Sequence, residues 1–138
     1  MIKFRVPGKP QGKGRPRIER NPYTGKIHGR TPDKTVEYEN FIRWCYKAAK
    51  GKHFGVNTLA VDVQAYFPIP KSVSQKKRAE ILNKGIKPTV KPDCDNIIKA
   101  VLDALNKVAY DDDKQVVSIS CTKHYAENGY LEITITEY

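Results

Sequence analysis

Three cysteines, one tryptophan and one methionine are all that a chain of 138 residues holds of these types. Cys45, Cys94 and Cys121 are odd in number and show no CxxC spacing, which excludes a disulfide framework and points to a reduced, cytoplasmic setting. No apolar run exceeds four residues. A membrane-spanning helix needs about 20, so none is expected. The opening MIKFRVPGKPQGKGRPR lacks the apolar stretch of a signal peptide. Large aliphatic and Phe residues are modest, 32 of 138. That still exceeds the roughly 20% below which chains stay disordered. The length fits one domain, with enough core to fold without staples.

Acidic residues are also scarce where basic ones abound. Residues 1–53 carry 14 Lys and Arg against 4 Asp and Glu, whereas residues 54–138 carry 11 against 11. The whole net charge of +10 therefore lies in the N-terminal part. Such asymmetry points to a polyanion, nucleic acid before a membrane surface.

Periodicity outlines the elements. Residues 2–6 alternate as a short strand ended by Pro7-Gly8. Residues 7–32 show almost no apolar period and read as a long basic loop. Thr31-Pro32-Asp33 signals a helix start with Pro at the first helical position. Tyr38, Phe41, Ile42, Cys45, Ala48 and Ala49 carry that helix to about Lys50, with Phe41 and Trp44 expected in the core. Residues 58–67 alternate as a strand, and Ser74 and Gly85 bracket a short charged helix. Ile97, Ile98, Val101, Leu102, Leu105 and Val108 form the apolar side of a third helix. Residues 115–125 and 130–137 read as strands, and Asn128-Gly129 signals a tight hairpin between them. The order implies a single α+β domain over residues 1–138, with a mostly antiparallel mixed sheet and three helices.

The chemistry concentrates in PDCDNIIK and DDDKQ, within a region spanning residues 93–115. Asp93 and Asp95 alternate on an extended lead into the helix, so their carboxylates can converge. Asp111, Asp112 and Asp113 form a second acidic group, and Asp113 can meet the first pair if the next strand lies alongside the helix start. Clustered carboxylates repel, and a hard cation relieves the repulsion. Mg²⁺ takes one or two carboxylates with water and substrate phosphate. On a basic protein that suggests phosphodiester hydrolysis, with Lys99 one turn inside the helix, near the phosphate. Each residue also has an ordinary reading. Asp93 and Asp95 can cap the helix, Lys99 can pair with Asp95 or Asp103, and the Asp111–Asp113 run can be a solvated turn. Spacing leaves both readings open.

The run KPDCDNIIKAVLDALNKVAYDDDKQV resembles the signature of the RusA family of Holliday-junction resolvases. Its pattern D-x-D-N-x-x-K-x-x-x-D-A-L, then Tyr or Trp, then x-D-D-x-Q-V, falls on Asp93, Asp95, Asn96, Lys99, Asp103, Ala104, Leu105, Tyr110, Asp112, Asp113, Gln115 and Val116. PGKPQGKGRPR, FPIPK and SQKKR are similar to family features as well, so the likeness covers nearly the whole chain. It implies a RusA-like fold and a homodimeric endonuclease that cuts opposing strands of four-way junctions in DNA recombination and repair. It implies Mg²⁺, with Mn²⁺ as a substitute, and no organic cofactor. It also implies Asp93, Asp95 and Asp113 as essential carboxylates, Lys99 as the essential lysine and Asp112 as a further candidate ligand. Cys94 stands where an aliphatic residue is common, and is expected to pack.

In the basic loop, Lys9, Lys13, Arg15, Arg17, Arg20, Lys26 and Arg30 read as phosphate contacts that order on DNA, and Asn96 joins them. Tyr23 and His28 could stack on bases or be ordinary loop residues, and His53 and His124 read as surface or sheet residues. The competing functions are a non-catalytic basic nucleic-acid-binding module, and a metal nuclease acting on flaps or RNA.

Overall fold

The computed structural model describes residues 1–138, with the side chain of Arg17 outside the described set. The core strand is β4 (Leu59–Pro68), where Leu59, Val61, Val63, Ala65 and Phe67 are all buried on one face. Burying each large apolar side chain stabilises by about 1.5–3 kcal/mol, which pins the register of this strand. Around it lie β1 (Ile2–Pro7), β5 (Val116–Ala126) and β6 (Tyr130–Glu137), in the order β1-β6-β4-β5. β6 runs antiparallel to both β1 and β4, while β5 runs parallel to β4. The sheet is mixed and mostly antiparallel, in a single α+β domain with three helices, as expected from the sequence.

α1 (Asp33–Ala48) and α3 (Cys94–Leu105) cover the buried face of the sheet and touch each other. Tyr38, Ile42, Cys45 and Tyr46 from α1 meet Ile97, Ala100, Val101, Ala104 and Leu105 from α3 in one core with Phe4, Val6, Leu131, Ile133 and Ile135. α2 (Gln75–Lys84) is peripheral. Its Ser74 hydroxyl accepts from the Lys77 amide, and Gly85 closes it in the left-handed conformation. Among the described residues no helix is long and apolar enough to cross a membrane.

Three sequence expectations need correction. β5 and β6 are not a hairpin, because β4 lies between them. The Glu127–Gly129 turn crosses the end of β4, two strand spacings of about 4.8 Å, a span that four Cα steps of 3.8 Å cover. Gly129 is required there: a Cβ on it would stand 2.9 Å from Pro68 and from the Lys9 backbone. Second, residues 7–32 are not one loop. β2 (Arg17–Arg20) and β3 (Ile27–Arg30) pair antiparallel as a separate hairpin. The Asn21 side chain closes its turn by accepting from the Tyr23 and Thr24 amides. Third, Phe41 and Trp44 are not core. Trp44 is 65% exposed, and the two rings stack at 6.3 Å on the outer side of α1.

Candidate active site

The start of α3 sets the geometry. Asp93 occupies the N-cap position with φ −70° and ψ 157°, the backbone suited to a capping side chain, yet its carboxylate bonds no helix amide. The helix starts at Cys94, so Asp95 belongs to its first turn rather than to an extended lead. Both carboxylates nevertheless line one cavity of about 380 Å³ with Asn96 and Lys99. Lys13, Gly14, Arg15 and Pro16 form its other wall. Neither Asp93, Asp95 nor Lys99 carries an ion pair among the described residues. The capping and surface-pairing readings of these three residues therefore lack their contacts.

The basic segment is built into this site. The Lys13 amide donates to the Asn96 carbonyl at 3.0 Å, and the Gly14 amide to the Thr35 hydroxyl at 3.0 Å. A Cβ on Gly12 would meet Asn96 and Pro92 side chains at 2.9 Å, and one on Gly14 would meet the Thr35 hydroxyl at 2.7 Å. The two glycines let the backbone lie flush between the starts of α1 and α3. Gly12→Ala is expected to lower stability by about 1–3 kcal/mol, the usual cost of overpacking, measured by denaturant unfolding. A midpoint equal to wild type would mean the segment moves away freely.

Lys13 does not project free. Its Nζ is 2.9 Å from Glu39 Oε1 on α1 and 3.0 Å from Asp103 Oδ2 on α3. Burial works to lower the Lys13 pKa, but the hydrogen bonds to Glu39 and Asp103 outweigh it and the net shift is upward. Glu39 itself is buried. It sits on the Thr35, Tyr38, Ile42, Cys45 stripe, so a carboxylate on an apolar helix face was the overlooked sequence signal.

Asp113 opens a single 3-10 turn, Asp113–Gln115, before β5. Burial, then its hydrogen bond and charge contact with Asp112, then Asp103, push its pKa upward. Asp112 moves the other way, because its carboxylate accepts from the Lys114 amide. Asp112 caps this turn reciprocally with Gln115, and the Gln115 amide also donates to the Gly55 and Asn57 carbonyls. Gln115 thus holds the Asp112–Asp113 pair, a positioning role the sequence reading did not assign. Asp113 does not line the cavity at the start of α3. Among the described residues no three Asp, Glu, His or Cys side chains stand grouped for a metal ion. Two free carboxylates beside a polar cavity fit a hard cation that completes its shell with water and phosphate.

The other candidates are dispersed. Arg15 lines the cavity and a neighbouring one formed by Gly12, Lys13, Lys91, Pro92, Asp93 and Asn96. Lys9 borders a separate cavity against α1. In the hairpin, Arg20 Nε donates to the Gly25 carbonyl, Arg30 pairs with Glu19 and Asp33, and Lys26, Tyr23 and His28 are exposed. The Arg17 side chain lies outside the described set. Cys94 turns its thiol toward the Cys121 carbonyl on β5, at 3.7 Å, in agreement with a packing role. His53 meets Asp111 at 3.4 Å, and His124 stacks on Tyr66 at 4.8 Å.

The family model for Endodeoxyribonuclease RusA matches residues 7–136. The chain is also 41% identical over 139 residues to Uncharacterized protein YqaN of Bacillus subtilis (strain 168), covering 99% of this chain and 96% of that one.

Proposed function

The chain belongs to the endodeoxyribonuclease RusA family, and from that premise we propose that it resolves four-way DNA junctions with a divalent cation at Asp93 and Asp95. The family is one of hydrolases acting on DNA and of Holliday-junction resolvases, so the non-catalytic module no longer competes. Mg²⁺ is the proposed ion, with Mn²⁺ as a substitute. The observation that carries the reading is the uncapped Asp93 carboxylate, which shares a cavity with Asp95 and Lys99. Asp113 is the proposed third carboxylate, while Asp112 is more simply explained as the cap of its turn. The proposed assembly is a homodimer, whose two-fold symmetry matches that of a junction, acting in recombination and repair.

When bound, the cation activates water and neutralises charge on the scissile phosphate. The chain's own groups supply the rest. Lys99, exposed one turn into α3, places a cation beside both carboxylates and lends charge to the phosphate or leaving oxygen. Arg15 and Asn96 border the same space and hold the neighbouring strand. Lys13 ties the segment bearing Arg15 to α1 and α3 rather than meeting a phosphate.

The direct test is cleavage of a synthetic four-way junction with and without Mg²⁺, beside linear duplex, flap and RNA. Metal-dependent paired nicking of the junction is expected; equal cutting of flap or RNA would overturn the junction assignment. Lys99→Ala is expected to slow the single-turnover step by about 10²–10³ with metal affinity nearly unchanged. A large loss of metal affinity with a normal rate at saturating metal would remove this role.

A further inference from the structure

Beyond the cleavage site lies a second cavity of about 680 Å³, within the range of ligand pockets. Lys9, Pro10 and Gln11 form one side, Lys34, Tyr38 and Phe41 of α1 the other, and Lys91 and Pro92 the end. Lys91 and Pro92 also border the cavity that contains Asp93, so the two spaces adjoin. Only Pro92 separates Lys91 from Asp93, at most about 7 Å of chain.

Two features of this cavity and its edge are unexplained by folding. Phe41, which lines it, and Trp44, which stacks on Phe41 outside the lining, expose aromatic rings on α1, parallel to within 8°, although the helix has a complete buried face without them. Lys9, Lys34 and Lys91 surround the opening, and none has an ion pair among the described residues. Glu37 is the single acidic residue of the lining.

Exposed aromatics among unpaired lysines are the elements of a platform for unpaired nucleotides, in which bases stack and phosphates meet cations. We propose that this cavity takes an unstacked base from the branch point of the DNA. Phe41, with Trp44 stacked beside it, packs against the base, and Lys9, Lys34 and Lys91 meet the flanking phosphates. Bases at a branch point are more cheaply unstacked than those within a duplex, so the site favours junctions over linear DNA. The inference rests on the proposed resolvase function and names the subsite through which it selects its substrate.

Trp44 is the sole tryptophan and stacks on Phe41 of the cavity wall, so its fluorescence reports on changes at that ring. The intact protein, without divalent metal so that DNA is not cut, is titrated with a four-way junction and with linear duplex of matched arm sequence. Strong quenching by the junction and little by the duplex is expected. Phe41→Ala and Lys34→Ala should each weaken junction affinity, Phe41→Ala by about tenfold, with duplex affinity changed less than about twofold. Unchanged Trp44 emission at saturating junction overturns the site, as does equal quenching by duplex. So does a Phe41→Ala variant that loses its dimer in sedimentation yet binds junction normally, which would assign the rings to a second copy of the chain. These results differ from failure of the resolvase reading itself, in which the wild-type protein with Mg²⁺ leaves the junction uncut.

Discussion

Asp93→Asn should bind a four-way junction at least as tightly as wild type and cut it about a thousandfold more slowly, or worse. The substitution isolates charge from shape. Asn is isosteric with Asp and equally suited to the N-cap position. The native carboxylate makes no capping bond that could be lost. Thermal stability should therefore stay within about 0.5 kcal/mol of wild type. What disappears is one of two anionic oxygen donors beside the cavity. Loss of a negative charge near DNA also removes repulsion from the phosphates. Asp113→Asn offers a contrasting signature. Asp113 is held beside Asp112 and feels Asp103, and its ionised form is disfavoured. Neutralising it relieves repulsion, so stability should hold or rise slightly while cutting fails. The measurements are single-turnover cleavage, mobility shift without cutting metal, and melting temperature for each variant. A wild-type cleavage rate in Asp93→Asn would remove the metal-site assignment.

Legibility of the sequence followed burial. β4 and α3 were readable because each sets one apolar side against the core, and periodicity records that contact. The β2–β3 hairpin was not readable, because Ile18 and Ile27 are 79% and 71% exposed and neither face of the hairpin meets the core. Asn128-Gly129 misled for another reason. A tight turn fixes where the chain reverses but not whether another strand enters between its arms, and here β4 does. Phe41 shares the helical period of the buried residues but falls at the margin of the stripe, where aromatic identity alone cannot separate core from rim. At the site, the motif spacing located Asp93, Asp95 and Lys99 around one cavity. It could not show that Lys13, which shares neither helical nor strand register with the buried residues of α1, ends between two helices. Charge counts treat every lysine in a basic segment alike. Only the fold distinguishes Arg15, which borders the cleft, from Lys13, which is consumed by Glu39 and Asp103.

That distinction gives the second large effect. Lys13→Ala should unfold the protein much more easily, not merely weaken DNA binding. The Glu39 side chain is 8% exposed, and Lys13 Nζ at 2.9 Å is its cation. Removing one partner of a buried pair leaves an uncompensated charge and costs about 3–5 kcal/mol. For a domain of this size that corresponds to a fall in melting temperature of roughly 10–20 °C. Part of the loss falls on the site, because the same lysine holds Asp103 and anchors the segment carrying Arg15. Replacing both partners by apolar residues, Lys13→Met with Glu39→Leu, should recover most of the stability, since no buried charge is then left alone. Arg15→Ala provides the opposite pattern. Arg15 is exposed and makes no ion pair among the described residues, so its removal should change stability by less than about 0.5 kcal/mol. If it meets one phosphate, the slope of log affinity against log salt should flatten by about 0.9. Mutating Lys13, Arg15 and Arg17 together would merge these two effects, whereas the single variants separate stability from DNA contact. Melting curves and a salt series on Lys13→Ala, Lys13→Met/Glu39→Leu and Arg15→Ala decide the matter. A Lys13→Ala protein that melts within about 2 °C of wild type would show that Glu39 finds solvent or another partner, and that the clamp between α1 and α3 does not hold the segment in place.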